Sequence, residues 1–379
     1  MRIALVDGTK KHTYYPFGLM RISSYLKAKG NDVALFYKEL PRPSAEWDEV
    51  WISAIFSFEI PYVRSLVLAY AKYSLVRVGG VSPTIMPEAF QGIPCEISTG
   101  KLDEAEKYQI DYNALGFKPE YSMSKITDGC IRNCKFCVVP KIEPEYTERD
   151  WKRDIRSDTK YVVFSDNNYL ARGADKLRED LAYFQNMVHT TSNKYIDFNQ
   201  GNDCRLVTPE IADIIAKMPI KPYRFSYDGP QEDGYIETAI TLLAERGCKD
   251  FSIYILYNFM DTIQEIYKRM RAMVNIAESK KVSVCIFPMR YQPIDMIDSG
   301  KEYTGKHWDD KAKKGFMTAL NHHSIFGQFS FKNRAAFEGW LTDSPEKFVA
   351  LLHYPDIAKY FSRKKEAQRE LRDRTKALR

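Results

Sequence analysis

Three cysteines, Cys130, Cys134 and Cys137, stand within eight positions in "SKITDGCIRNCKFCVVPK" (124–141). The other four, Cys95, Cys204, Cys248 and Cys285, are scattered. A lone free thiol behaves as a small buried hydrophobe, which suits the scattered four. Clustered thiols differ. Disulfides are rare in reducing compartments, and an odd, tight triplet suits metal better than a disulfide framework. Three thiolates do not close a tetrahedral structural zinc site, which takes four protein ligands. A distant histidine or cysteine would have to complete it, and no second C-x2-C pair exists. Three thiolates do suit a four-iron cluster with one iron left open for a substrate or cofactor. The metal candidates are therefore Cys130, Cys134 and Cys137.

These thiols need a scaffold. The chain has 379 residues, 44% of them hydrophobic, enough for two or three domains at about 150 residues each. Over residues 1–118 the apolar runs "RIALV", "DVALFY", "VWISAIF" and "LVRVGG" predict strands. "FGLMRISSYLKAKG" and "PYVRSLVLAYAKYS" predict helices between them, one stopped by glycine and one opened by proline. Strands alternating with helices predict an α/β, Rossmann-like domain with a parallel sheet. A looser, proline-containing passage ends it near residue 118. Over 119–300 six strand candidates recur: "YSMSKIT", "YVVFSD", "YIDFNQ", "YRFSYD", "FSIYILY" and "VSVCIFPM". Helical segments separate them at a spacing of about 30 residues, which predicts a barrel or partial barrel with its chemistry at the C-terminal strand ends. Residues 301–379 lose this rhythm and predict a helical, aromatic-rich cap.

The spacing C-x3-C-x2-C, with Phe136 before the third cysteine and the first of six strands just ahead, resembles the radical S-adenosylmethionine (radical SAM) superfamily. That resemblance implies an α/β fold in which an N-terminal Rossmann-like domain precedes a radical SAM partial (β/α)6 barrel and a helical C-terminal extension. It implies a 4Fe–4S cluster on the three cysteines and S-adenosylmethionine as cofactor. It also implies cleavage of that cofactor to methionine and a 5′-deoxyadenosyl radical that takes hydrogen from a substrate. The polar strand ends then supply candidates. Ser165, Asp166 and Asn167, with Asn168 beside them, stand where the superfamily contacts the cofactor's ammonium, although the common glycine-glycine-glutamate form is absent. Asn199, Gln200 and Arg205 follow the third strand, Arg205 as a bidentate partner for the cofactor carboxylate or for Asp203. Arg224, Ser226 and Asp228 alternate onto one face of the fourth strand. Asn258 and Met289 complete the cofactor set with Phe136. Asp228, Tyr257 and Tyr291 are the catalytic candidates.

The segments "YYPFGLMRISSYLKAKGNDVALFY" and "VGGVSPTIMPE" resemble the cobalamin-binding-type domain that precedes the barrel in one subclass. The domain's only histidine is His12, and no aspartate-x-histidine-x-x-glycine sequence occurs. Cobalamin binding and a degenerate, structural or substrate-holding domain both stay open. Cobalamin would favour methyl transfer; without it, hydrogen abstraction would lead to rearrangement, cleavage or bond formation.

Charge narrows the partners. From Lys359 onward nine basic and three acidic residues carry the whole formal net charge of +6. This tail is either a solvated helix or a phosphate-contacting one, so a nucleotide or nucleic acid is a possible partner alongside an electron donor of flavodoxin or ferredoxin type. A non-enzymatic iron–sulfur or zinc module that binds nucleic acid is the alternative. His307, His322 and His323 are substrate contacts or ordinary packed residues. No window reaches the roughly 18 apolar residues of a membrane span, and the opening "MRIALVDGTKKHT" reverses the charge order of a signal peptide. The expected location is cytoplasmic.

Overall fold

The apolar run at the start of the chain folds as β1 (Arg2–Asp7), an inner strand of a five-stranded parallel sheet. The computed structural model describes residues 1–379 apart from 11–13, 295, 297–302, 324–326 and 378–379, and gives only the backbone of 368, 369 and 371–377. The sequence expectation for His12 thus lies outside the described residues, as do the side chains of most of the basic tail. Two compact units form, Met1–Val163 with Pro293–Glu302, and Phe164–Gln292 with Tyr303–Arg379. The boundary expected near residue 118 lies inside the first.

In the first unit β1 is followed by α1 (Phe17–Ala28), β2 (Asp32–Phe36), β3 (Glu49–Ser53), α2 (Ile60–Tyr70), β4 (Leu75–Gly79), α3 (Val81–Ile85) and β5 (Glu96–Ile97). Strand order is β2-β1-β3-β4-β5, all parallel. This is the flavodoxin-like order of doubly wound sheets, in which ligands settle outside the strands' C-terminal ends at the β1/β3 switch point. The helix α2 lays Val63 and Val67 on Val6, Ile52 and Val78; each fully buried valine contributes about 1.5–3 kcal/mol. On the other face α1 sets Leu19 and Leu26 against Ile3 and Leu5. After the two-residue β5, which the sequence pattern does not reveal, only two short 3-10 turns occur before the next strand. Beyond α1, Trp51 and Arg77 lie on this face without a second full helix over them, the guanidinium 4.5 Å above the indole.

The chain continues into β6 (Tyr121–Ser124), β7 (Thr127–Asp128), α4 (Val139–Ile142), β8 (Thr147–Glu148) and β9 (Tyr161–Phe164). β7 and β8 pair antiparallel, and β6 lies beside β9. Two features hold this part to the first sheet. Tyr15 stacks on Tyr121 at 4.3 Å between centroids. Arg21 of α1, 2% exposed, pairs at 2.6 Å with Asp154, 4% exposed. These contacts explain why the compact unit runs on past residue 118.

The second unit carries α5 (Gly173–Thr190), β10 (Ile196–Phe198), β11 (Asn202–Asp203), α6 (Pro209–Ile215), β12 (Tyr223–Ser226), α7 (Tyr235–Glu245), β13 (Asp250–Tyr257), α8 (Ile263–Lys280) and β14 (Ser283–Arg290). The helix α6 starts at the Thr208 cap and Pro209, and α8 at the Thr262–Glu265 capping box. Strands β11-β12-β13-β14 are parallel. The expected third strand forms as β10, and the short β11 follows it past Gly201, whose φ is +85°. Register aligns Arg224, Ser252 and Cys285 in one row and Ser226, Tyr254 and Phe287 in the next, on the less buried face. Phe225, Phe251 and Ile253 alternate to the buried side. The C-terminal part supplies α9 (Asp310–His323), α10 (Arg334–Leu341), α11 (Pro345–Leu352) and α12 (Ile357–Ala377), as the composition predicts. It also supplies β15 (Phe329–Ser330), which pairs antiparallel with β14 and covers its edge. No helix among the described residues is long and apolar enough to cross a membrane.

Removing one member of a buried ion pair leaves its partner uncompensated, at a cost of about 3–5 kcal/mol. Arg21→Met is therefore expected to bring forward the urea-induced loss of structure in the first unit by about that much, whereas Arg2→Met, at an exposed pair, changes it by less than about 1 kcal/mol. Equal effects of the two substitutions would contradict the assignment.

Candidate functional site

The cysteine loop lies between β7 and α4. Cys130, Cys134 and Cys137 are half-buried and in no disulfide, and Phe136 between them is half-buried as well. The Cys137 amide donates to the Cys134 carbonyl at 3.0 Å, a tight turn that brings the second and third thiols onto one bend. The Arg132 amide donates to Cys130 Sγ at 3.4 Å. Just before the first thiol, Gly129 has φ +72°, and a Cβ there would fall 2.3 Å from the Glu145 carbonyl oxygen. Only glycine fits both conditions. Among the described residues no group of three or more His, Cys, Asp or Glu side chains is arranged to hold a single metal ion. A four-iron cluster spreads its thiolates over separate irons, and three half-buried thiols on one loop are the donor chemistry it takes. Burial pushes Cys204 up to about 12 and Cys285 up to about 11, and raises Cys95 and Cys248. These four stay protonated, as structural thiols do.

Beneath the loop runs a chain of charges that the sequence reading does not single out. Glu143 accepts from the Gly129 amide at 2.8 Å and from Lys125. Lys125 also meets Asp128 at 3.3 Å. Asp128 is further held by Lys101 at 2.6 Å and by Arg149 at 3.0 Å. Arg149 pairs with Glu106, and Glu106 lies 3.7 Å from Arg21. The available signal is the placement of Lys125 and Asp128 inside "SMSKITDG", where every residue from Ser122 to Asp128 is buried.

In the second unit the polar strand ends divide into two groups. Arg224 stands near the N-terminal end of β12, and Asp197 takes its guanidinium at 2.6 and 2.8 Å. Ser252 and Tyr254 accept from it too. This is the end of the strands where parallel barrels keep stability, not chemistry; the expected cofactor contact is here a closed ion pair. Ser226 and Tyr254 flank Gly201, where a Cβ would come within 2.9 Å of the tyrosine ring. The Tyr254 hydroxyl donates to the Asn199 carbonyl at 2.7 Å. The Asn199 side chain accepts from the exposed Gln200 amide at 3.2 Å.

The C-terminal strand ends gather the ionisable residues. Ser165 and Asn167 are half-buried, while Asp166 and Asn168 are buried. The Asn168 side-chain Oδ1 accepts from the Asp203 backbone amide, and its Nδ2 is a buried donor without a hydrogen-bond partner. Arg205 grips Asp203 at 2.7 and 3.1 Å and reaches Glu232 at 3.4 Å, so the internal pair is formed. Asp228 is partly buried. Burial first, then the neighbouring Glu232 charge, pushes its carboxyl from an ordinary 3.8 up to about 7, with Arg269 and the Leu256 amide pulling the other way. Arg269 itself, from α8, donates to the carbonyls of Tyr227 and Leu256 and so clamps the ends of β12 and β13.

Three expected site residues have other tasks. The ring of Tyr257 is 2% exposed and packs against Phe316 at 4.8 Å and Trp308 at 5.5 Å, as core. Asn258 is fully buried with φ +66°; it donates to the Tyr291 and Tyr303 carbonyls and accepts from the Gly305 amide. Its amide fastens the 303–305 segment. Tyr291 lies between Phe259 and Tyr303 in an aromatic group. Met289 is exposed. His322 and His323 accept or donate to backbone and ring neighbours within the C-terminal helices, as packed residues do.

The first unit also has an open cavity of about 630 Å³ at the C-terminal ends of its sheet. Asp7, Ser53 and Gly79 line it from three strand ends, Trp51 and Arg77 from the uncovered face, and Lys101 and Glu106 from the ion network. Tyr15, Phe17 and Phe56 add aromatic walls. Gly80, at φ +113°, lets the turn after β4 pass Ala54, whose carbonyl oxygen a Cβ would meet at 2.6 Å.

Asp228 makes a pH-dependent contribution whose sign is set by its raised value. Between about pH 4 and pH 7 the folded chain holds a proton that the unfolded chain has released, so this contribution to stability falls as pH rises through that window. Asp228→Asn removes the dependence. The thermal midpoint of the variant minus that of the wild type is expected to climb from about pH 4 to about pH 7 and then level. A difference that is flat with pH would contradict the buried, carboxylate-crowded setting of Asp228.

No family model matches the chain. Over 61 residues it is 33% identical to the ribosomal protein uS12 methylthiotransferase RimO of Leptospira biflexa serovar Patoc, in each of two strains. That stretch covers 16% of this chain and 13% of the relative, so the chain matches only a small part of that protein's length. Among solved structures it is similar to the radical S-adenosylmethionine methyltransferase TsrM from Kitasatospora setae with cobalamin and a [4Fe-4S] cluster bound. There the TM-score is 0.53 and the identity 15%, over 83% of this chain and 78% of the other. TsrM with tryptophan substrate and the SAM analog aza-SAM gives 0.52 and 14%, over 83% and 76%. At these identities the likeness is one of fold: the chain takes an α/β architecture like that of TsrM, with parallel-strand sheets and many helices.

Proposed function

We propose that this chain is a radical SAM enzyme that abstracts hydrogen from its substrate. The observation that carries the reading is the loop of three half-buried thiols between β7 and α4, held by a glycine that no other residue can replace without strain. A 4Fe–4S cluster with S-adenosylmethionine supplies, when bound, one-electron cleavage of the sulfonium and a 5′-deoxyadenosyl radical. The protein's part is holding and shielding. Cys130, Cys134 and Cys137 offer three ligands and leave a fourth iron position free. Ser165, Asp166 and Asn167, at the second strand end, are the contacts that the resemblance implies for the cofactor's charged tail. Asp228 holds a proton near neutral pH and can donate it in a hydrogen bond or pass it on. The aromatic group of Phe259, Tyr291 and Tyr303 limits water at the end of β14. The substrate class stays open, a nucleotide or nucleobase included. The required partner is a low-potential one-electron carrier of flavodoxin or ferredoxin type.

Anaerobic reconstitution with iron and sulfide, followed by dithionite and S-adenosylmethionine, is expected to yield 5′-deoxyadenosine. The triple variant Cys130→Ala, Cys134→Ala and Cys137→Ala is expected to lose both the cluster absorbance and this product. Retention of the absorbance by the triple variant would overturn the ligand assignment. A wild-type chain that binds nucleic acid tightly and forms no 5′-deoxyadenosine would favour a non-enzymatic module instead.

The cavity of the first unit supports a second reading, a cobalamin-dependent methyltransferase. It lies at the switch-point end of a flavodoxin-like sheet, and its aromatic walls and glycine turn suit the flat tail of a corrinoid. Among the described residues of that unit there is no histidine to serve as an axial ligand. Hydroxocobalamin mixed with the chain is expected to co-elute on gel filtration at about one per chain under this reading. A colourless protein peak would sink it and leave hydrogen abstraction standing.

A further inference from the structure

We infer that Glu143 and Lys125 act as a charge pair that positions the cysteine loop and sets the reduction potential of the cluster held there. This rests on reading the loop as a cluster site. The geometry begins one residue before the first thiol. Gly129 is gripped from two sides: its amide donates to Glu143 Oε2 at 2.8 Å, and its α-carbon packs so close to Glu145 that a Cβ would lie 2.3 Å from the carbonyl oxygen. The remaining oxygen of Glu143 takes the Lys125 ammonium. That ammonium is shared with Asp128, 3.3 Å away. Lys125, between β6 and β7, and Asp128 are 8% and 5% exposed, so little water or salt reaches the charges to screen them.

Two consequences follow from elementary electrostatics. First, a backbone amide adjacent to a thiolate ligand is turned onto a carboxylate, so it is not aimed at cluster sulfur. The Arg132 amide, which donates to Cys130 Sγ, points toward sulfur instead. Hydrogen bonds to sulfur, nearby charge and solvent exposure are what move such potentials. Second, reduction adds one electron from a one-electron donor, with no bond made or broken. The cluster becomes more negative by one charge. A fixed carboxylate beside the loop opposes that change, and a fixed ammonium favours it. Glu143 and Lys125 therefore push the potential in opposite directions through the same stretch of backbone. They are positioning residues, since neither is a ligand.

The test is a titration of the full chain, reconstituted anaerobically and followed by electron paramagnetic resonance at fixed pH, with dithionite as reductant. Glu143→Gln keeps the shape and an acceptor for Gly129 and removes the charge. It is expected to make reduction easier by about tenfold in the one-electron equilibrium, about 59 mV upward. Lys125→Met is expected to shift the potential downward by a similar factor, and Lys125→Arg to stay near the wild type. Iron and sulfide per chain are measured alongside. Shifts of opposite sign support the inference, and if Lys125→Met does not fold, the upward shift of Glu143→Gln carries the sign alone. Reduced cluster content with an unmoved potential would mean a structural brace only and would overturn the inference, as would shifts in the same direction. A wild-type chain that takes up no cluster would overturn the reading on which the inference stands, and the inference with it.

Discussion

The carboxylate of Asp128 is held by three cations, Lys101, Lys125 and Arg149. Buried charge of this kind is tolerated only when each member is paired, because the penalty of desolvation exceeds what any single contact returns. Two of these cations also reach a second anion. Lys125 reaches Glu143, and Arg149 reaches Glu106, which leads on to Arg21 and Asp154. Four segments distant in sequence have to be in place together: α1, the turn near residue 106, the strand ahead of the thiols and the stretch from 143 to 154. The first sheet and the cysteine loop consequently fold as parts of one compact unit. The network spans the wall of the cavity, through Lys101, Arg21 and Glu106, and the floor of the loop, through Lys125 and Glu143.

The second unit shows how a parallel barrel separates its two ends. At the N-terminal ends Arg224 and Asp197 neutralise each other beside Ser252 and Tyr254. At the C-terminal ends the carboxyls of Asp228, Glu232 and Asp261 are all raised, chiefly by burial. Arg205 and Arg269 stand among them. Like charges crowded at a strand end keep one carboxyl protonated near neutral pH. Such crowding costs stability and marks the end where a barrel can do chemistry. The clamp of Arg269 on the Tyr227 and Leu256 carbonyls holds these strand ends in register while the carboxyls repel.

Much of this was legible before any coordinates. Period and punctuation locate the main elements because they depend on local chemistry: the Thr262–Glu265 box starts α8, Gly30 stops α1, and the apolar runs become strands. The triplet of thiols is equally local, since spacing within one loop decides whether three sulfurs can serve one cluster. The strands that escaped, β5, β8, β11 and β15, are two residues each and exist only through a partner. Asn258 shows a role that strand position does not reveal. A polar residue at a strand end reads as a cofactor contact, yet its amide is consumed by backbone groups of residues 291, 303 and 305.

The sequence by itself therefore determined the thiol loop, the α/β rhythm and the candidate polar strand ends, because each is written in residue types a few positions apart. Only the tertiary structure decided which charges pair. Arg224 meets Asp197, 27 residues away, and Arg21 meets Asp154, 133 residues away; Lys125 finds Glu143 across the loop it supports. A charged side chain has the same identity in sequence whether it faces water, a ligand or another charge. Its role is fixed by what lies within a few ångströms once the chain has folded, since the Coulomb energy and the desolvation penalty both depend on that distance and on burial.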